Sequence, residues 1–372
     1  RKYDGASRAQ GETANWRDMT ADSTLRAGEG YILQLSKTAS RFAVQAVNNG
    51  QKNRLFSGTA ITTPLGEYLS EFAHNRSWNF VGNPYPCYFD VHYLEYSSPI
   101  TVWNGQGYTA YSPTDDDYIL RPMQAFFVQK PVETDALTFL PEGRQMDASV
   151  RPRPEAVPAA QDEMRYIYNV YMDGTDYTDR TRVVVNEAAG AGYDLLCDAA
   201  KFMSSREDVP QLYVIGAEGS RYAIDERPLG TGVVRLGVHV GRAGSYTLRM
   251  DSGVGEVWLK DKAEGREVRL DGSSYTFGSE PGDFDNRFEL RLRTQATGLE
   301  SVGATDGVRV QAGQGCIEVL GAEAGARVTV CNVAGRVVNE TTATQATTRI
   351  QAGAGLYLVT VEGETHKVVV KD

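Results

Sequence analysis

The chain has 372 residues, enough for two or three domains, and 41% of them are hydrophobic, enough for packed cores. Gly at 38 and Tyr at 20 against Met at 7 is the composition of a β protein, with Gly at turns and Tyr in strands. The formal charge of −10, from 38 Lys plus Arg and 48 Asp plus Glu, excludes a general nucleic-acid binder, which needs a basic face to release counterions.

The first region, residues 1–150, is rich in aromatics and loops. Strands are expected at Gly30–Gln34, Arg41–Val47, Trp78–Val81, Ile100–Trp103, Tyr108–Tyr111 and Ala125–Gln129, where apolar and polar residues alternate. Residues 151–161 carry three prolines and no apolar periodicity, and read as a semi-rigid extended linker. A second region, 162–296, follows. Its strands are expected at Arg165–Met172, Arg182–Asn186, Gln211–Ile215, Val233–Val240, Ser245–Met250, Glu256–Lys260 and Arg287–Leu292, the last alternating cleanly between charged and apolar. Asp194–Ser204 can form a helical turn or two and is taken as a long connection between strands. The third region, 297–372, has short period-two strands from Val308 to Val370. They are separated by Gly-rich turns such as Ala312 to Gly315, Gly321 to Gly325 and Gly353 to Gly355. This spacing predicts a small antiparallel sandwich. The fold class expected is therefore all-β, with tandem β-sandwich domains of jelly-roll or Ig-like type ending in a small Ig-like sandwich.

The chain opens Arg1-Lys2-Tyr3-Asp4-Gly5 without Met, as a fragment or processed product does, so the lack of a visible leader carries no weight. No run of about 18 apolar residues is present, so no transmembrane helix is expected. Cys87, Cys197, Cys316 and Cys331 form no CxxC pair, which leaves zinc ribbons and redox motifs unsupported. Only Cys316 and Cys331 share a region and are candidates for a disulfide.

Signals for catalysis are absent. His74, His92, His239 and His366 are scattered, with no HExxH, and no serine sits in a G-x-S-x-G elbow. Gly28-Glu29-Gly30 precedes a strand rather than a helix and so is no dinucleotide fingerprint. No catalytic residue and no obligate cofactor are expected. Asp173, Asp176 and Asp179 place three carboxylates at i, i+3 and i+6 in a turn, a candidate calcium loop, since Ca²⁺ takes roughly six to eight oxygens. A plain hydrophilic hairpin turn explains the same residues. Asp115-Asp116-Asp117 poses the same choice between calcium loop and solvated turn. Tyr85, Tyr88, Tyr93, Tyr96, Trp103, Tyr108 and Tyr111 can build a platform for sugar rings, or fill a sandwich core.

The tail carries a resemblance. Val328-Thr-Val-Cys-Asn-Val-Ala-Gly-Arg-Val-Val338, Gly355-Leu-Tyr-Leu-Val-Thr-Val361 and His366-Lys-Val-Val-Val-Lys371 resemble the C-terminal sorting domains of type IX secretion. The matching positions are Asn332, Gly335, Arg336, Gly355, Tyr357 and Lys367, with Asn332 where Asp is usual. Gly335 and Gly355 are expected at turns, and Tyr357 is expected to bury its ring. Upstream, Leu25–Leu33, Trp78–Pro86 and Arg121–Val128 resemble segments of large Bacteroidetes surface and secreted proteins. The resemblance implies a non-enzymatic structural or interaction region of a secreted or outer-membrane cell-surface protein, adhesin-like. Its C-terminal domain would engage export machinery or the outer-membrane surface. The alternative is a carbohydrate-binding or glycan-processing accessory protein, with glycans as partners and bound calcium.

Overall fold

The computed structural model describes residues 1–20, 22–34, 58–150, 165–216, 219–251, 255–293, 309–313, 316–332, 336–343, 347–353, 355–361 and 364–370. Half of the chain is strand and 5% helix, so the fold is all-β. It divides into two compact units, Arg1–Leu292 and Arg293–Asp372. The expected strand at 41–47, the linker at 151–161 and the boundary at 296–297 lie outside the described residues.

The first unit contains both upstream regions, each with its own core. In the first lobe, Trp78–Gly82, Ala125–Gln129, Ile100–Trp103 and Tyr108–Tyr111 form a four-stranded sheet in that order. Two three-stranded sheets close around it. One joins Ile61–Pro64, Ala136–Phe139 and Leu94–Glu95; the other joins Arg144–Gln145, Tyr88–Asp90 and Ile119–Leu120. Tyr85, Phe89, Phe126 and Phe139 fill the core between them. The expected strand at 30–34 is reduced to an isolated bridge between Lys2 and Tyr31, because Gly30 already donates to Phe80 across the end of Trp78–Gly82.

The second lobe is one eleven-stranded sheet. Its path runs Arg266–Arg269, Glu256–Asp261, Gly282–Arg293, Val233–Val240, Gln211–Ile215, Arg221–Arg227, Thr178–Val185, Tyr166–Asp173, Gly244–Met250 and Ser274–Ser279, with Ala199–Ala200 paired off the path. Tyr166–Asp173 buries every second residue, Tyr168, Val170 and Met172, as a strand with one covered face must. Its partner Thr178–Val185 is buried almost continuously from Asp179 onward. Both of its faces are covered: Val183 and Val185 enter the second lobe's core, while Arg180 and Arg182 reach the first lobe. Thr178–Val185 also pairs in parallel with Arg221–Arg227, whereas its ladder with Tyr166–Asp173 is antiparallel. Asp194–Ser204 is a turn followed by the short strand Ala199–Ala200, and so the connection that was expected.

The C-terminal unit is a two-sheet sandwich. Arg309–Gly313, Cys316–Leu320 and Thr347–Gln351 form one sheet; Val337–Thr342, Arg327–Asn332, Gly355–Val361 and Glu364–Val370 form the other. Ile317, Val319, Val328, Val330, Ile350, Val359 and Val361 make the core. Burying each such side chain stabilises by about 1.5–3 kcal/mol.

Candidate functional sites

The sorting-like positions are held by the closing hairpin of the C-terminal unit and by the turn before its edge strand. Asn332 ends the strand Arg327–Asn332. Its backbone N–H donates to the Arg336 carbonyl at 2.9 Å, and its Oδ1 accepts from the Arg336 N–H at 3.1 Å. A short amide side chain at the base of a turn does what an Asp there would do. Arg336 leads into the return strand Val337–Thr342, and Gly335 lies outside the described residues. Gly355, expected at a turn, is instead the first residue of the strand Gly355–Val361, paired with Val370. A Cβ there would meet the Tyr357 ring at 3.4 Å, an ordinary contact, so nothing in the backbone demands glycine. Tyr357 lays its ring against the core and donates its hydroxyl to the Gly353 carbonyl at 3.1 Å. Lys367 sits opposite Leu358 in the last ladder, where Val368 and Val370 are buried.

The three candidate calcium ligands do not converge. Asp173 pairs with Thr178 across the hairpin and Asp179 with Met172, so the alternation of the strands sends their side chains to opposite faces. Asp173 accepts two bonds from Arg249, at 2.6 and 3.2 Å, and one from Thr178. Burial raises the Asp173 pKa, but Arg249 and Thr178 outweigh it and hold the carboxyl below its usual value. Asp179 is buried, ion-paired with Lys201, and accepts the Leu212 N–H at 2.7 Å. Asp176 is exposed at the tip. Among the described residues no group of three His, Cys, Asp or Glu side chains is placed to hold a metal. The calcium reading of this turn is therefore corrected to a structural one: each buried carboxylate already has its own cation.

In the Asp115–Asp117 turn the first two carboxylates are likewise taken by arginines, while Asp117 is exposed to solvent. Asp116 takes Arg180 at 2.8 Å and Arg182 at 2.5 Å, and its other oxygen accepts the Ser112 N–H. Asp115 receives both terminal nitrogens of Arg165 at 3.2 Å, and Arg165 also grips Glu226 at 2.7 Å. Burial works against the Asp116 carboxylate, yet the two guanidiniums dominate and keep its pKa low. This ionic cluster locks the two lobes of the first unit together. The sequence did hold a signal for it. Arg180 and Arg182, two apart in a strand ending Val-Val-Val, share one face, and a covered strand buries arginine only opposite carboxylates.

The aromatic set is spent mostly on packing. Tyr85 and Tyr96 are buried, with their hydroxyls on the carbonyls of Phe139 and Gln129. Tyr111 stacks on Tyr118 at 4.1 Å beneath Arg180. Tyr108 packs edge-on to Phe127 and Phe202. Trp103 remains 42% exposed beside Tyr108. All four cysteines are free, so Cys316 and Cys331 do not pair.

The class defined by these observations is an all-β protein of two compact units. A family model described as "Domain of unknown function (DUF8693)" matches residues 88–292, more than half of the chain, and the chain belongs to that family. A second, "Domain of unknown function (DUF6383)", matches 296–370, the region of the C-terminal sandwich. No curated protein matches. Among solved structures, one titled "Biofilm associated protein - BSP domain" is 11% identical, over 85% of this chain and 66% of that one, with a TM-score of 0.13. A likeness that slight carries no argument about fold or function.

Proposed function

We propose that the chain is a non-enzymatic structural and interaction region of a secreted or outer-membrane surface protein, with residues 297–372 serving export or attachment through a type IX route. The observation that carries this reading is the closing hairpin. Glu364–Val370 pairs along its whole length with Gly355–Val361 and buries Val368 and Val370, while the resembling positions Asn332 and Arg336 fix the neighbouring turn. In the first unit, the buried carboxylates of Asp116, Asp179 and Asp261 are each held by a cation, as ion pairs that fix a scaffold are. No helix among the described residues is long and apolar enough to cross a membrane.

The test is deletion of Glu364–Val370 in a host with type IX export. The truncated protein is expected to stay in the periplasm while the full chain reaches the surface, read by protease shaving of whole cells. Normal surface display of the truncated protein would sink the sorting role.

A further inference from the structure

Asp116, Asp179 and Asp261 are each buried beside a cation, but the pairs differ. Asp261 accepts from Arg287, from the Tyr275 hydroxyl at 3.0 Å and from the Ala263 N–H at 2.9 Å. Asp116 takes Arg180, Arg182 and the Ser112 N–H. A guanidinium keeps its proton inside a protein, so these two pairs stay ionic. Asp179 faces a lysine, which can give its proton up and become a nucleophile.

The side chains of Lys201 and Asp179 are 2% and 8% exposed. An ammonium carries three N–H donors. Among the described residues, Asp179 is the only group that accepts from this one. On the carboxylate, Lys201 and the Leu212 N–H both fall on Oδ2, and Oδ1 has no partner among the described residues. Two charges shut away from solvent with so few hydrogen bonds offset little of their desolvation. A neutral link between the same two side chains removes both charges.

We propose that the side chains of Asp179 and Lys201 condense to an amide, an internal cross-link in the folded chain. The Lys201 nitrogen gives up a proton and adds to Asp179 Cγ, forming a C–N bond, and the bond from Cγ to Oδ1 breaks. Two of the ammonium's protons leave with Oδ1 as water, one stays on the amide nitrogen, and Oδ2 becomes the amide carbonyl. Nothing is oxidised or reduced. The Leu212 N–H, 2.7 Å from Oδ2, sits on the oxygen where negative charge gathers as nitrogen adds. The fold fixes both reactants. Asp179 is held opposite Met172 in its ladder, and Lys201 donates its own backbone N–H to the Arg221 carbonyl at 2.8 Å. Groups held in contact react as though at about 10⁵–10⁸ M, which favours the amide over separate amine and acid. The link joins strand Thr178–Val185 to the connection after Ala199–Ala200, 22 residues along the chain. It constrains the unfolded chain as a disulfide does, in a protein whose four cysteines are all free. This goes beyond the export reading and stands or falls separately from it.

The experiment is the intact mass of the purified full chain, unfolded in guanidinium chloride. The chain is expected to be lighter than its sequence mass by one water. Protease digestion should release a branched peptide in which tandem mass spectrometry finds Asp179 and Lys201 joined. Lys201→Met should restore the sequence mass and lower the melting temperature by several degrees. The branched peptide comes from the unaltered chain, so the test holds even where the variant does not fold. The proposal is overturned if the unaltered chain has its full sequence mass. It is overturned equally if the water loss persists in Lys201→Met, which would place it at a cyclised Asp-Gly such as Asp173-Gly174.

Discussion

The two units bury different chemistry. In the first, Asp116, Asp179, Arg182, Asp198, Lys201 and Asp261 all lie inside. In the C-terminal unit, Thr348 is the single buried polar side chain among the described residues, and Ile317, Val330, Val359 and their neighbours make up the rest. The difference follows from architecture. A two-sheet sandwich needs only apolar inner faces. A lobe pair must also bring the outer face of one sheet against another body. There the strand's polar side is covered too, and its charges survive only in pairs. Tryptophan makes the comparison measurable. Trp16, Trp78, Trp103 and Trp258 all belong to the first unit, so their fluorescence reports its unfolding and not that of the C-terminal sandwich.

The largest expected contrast is in pH. Burial pushes the Asp198 carboxyl up to about 8, against two backbone N–H donors, Asp194 and Glu226, that favour its ionised form. A raised acid contributes stability that is complete below the unfolded carboxylate pKa and disappears as pH climbs through the folded value. The first unit should therefore lose stability between pH about 4 and 8, by at most about 1.4 kcal/mol per pH unit from this group. Asp116 acts in the opposite sense. Its depressed pKa gives stability present above the ordinary carboxylate range and lost as pH falls below it. Urea midpoints followed by tryptophan fluorescence across this range should decline toward alkaline pH, and Asp198→Asn should flatten that decline. An unchanged slope in the variant would remove Asp198 as its source.

Next comes the lobe lock. Asp116→Ala leaves Arg182, whose side chain is 2% exposed, with only the more distant Asp115 carboxylate at 3.8 Å. Losing one partner of a buried pair costs about 3–5 kcal/mol. Replacing Asp116, Arg180 and Arg182 together by apolar residues of similar size should cost far less, since no charge is left unpaired. Equal losses in the single and triple variants would mean that packing, not charge pairing, joins the lobes.

What the sequence disclosed and what it hid follow from range. Ile100–Trp103, Tyr108–Tyr111, Ala125–Gln129, Gln211–Ile215 and Val233–Val240 appear at the expected residues, because a period of two is a local property. The parallel ladder between Thr178–Val185 and Arg221–Arg227 joins segments some forty residues apart and leaves no local mark. Asp173 and Asp179 look like neighbours in sequence, yet even spacing in a hairpin does not guarantee a shared face, and pairing register separated them. Gly355 misled for a related reason: glycine is common in turns, but here it starts a strand beside the Tyr357 ring.

The smallest expected effect tests the C-terminal unit's one polar device. Asn332 Oδ1 accepts the Arg336 N–H at 3.1 Å and holds the turn into the edge strand Val337–Thr342. Asn332→Ala removes an acceptor at a partly exposed site, where water can substitute, so the cost should be about 0.5–1 kcal/mol. Asn332→Asp should cost almost nothing, because a carboxylate oxygen accepts the same N–H. With no tryptophan in this unit, the change is best read from hydrogen exchange of the Arg336 amide and from thermal unfolding by circular dichroism. Protection of that amide should fall in the alanine variant and persist in the aspartate one. Were both to lose protection alike, the turn would depend on the amide's N–H₂ group rather than its oxygen. The resemblance to the sorting segments, in which Asp is usual at this position, would then have no shared physical basis there.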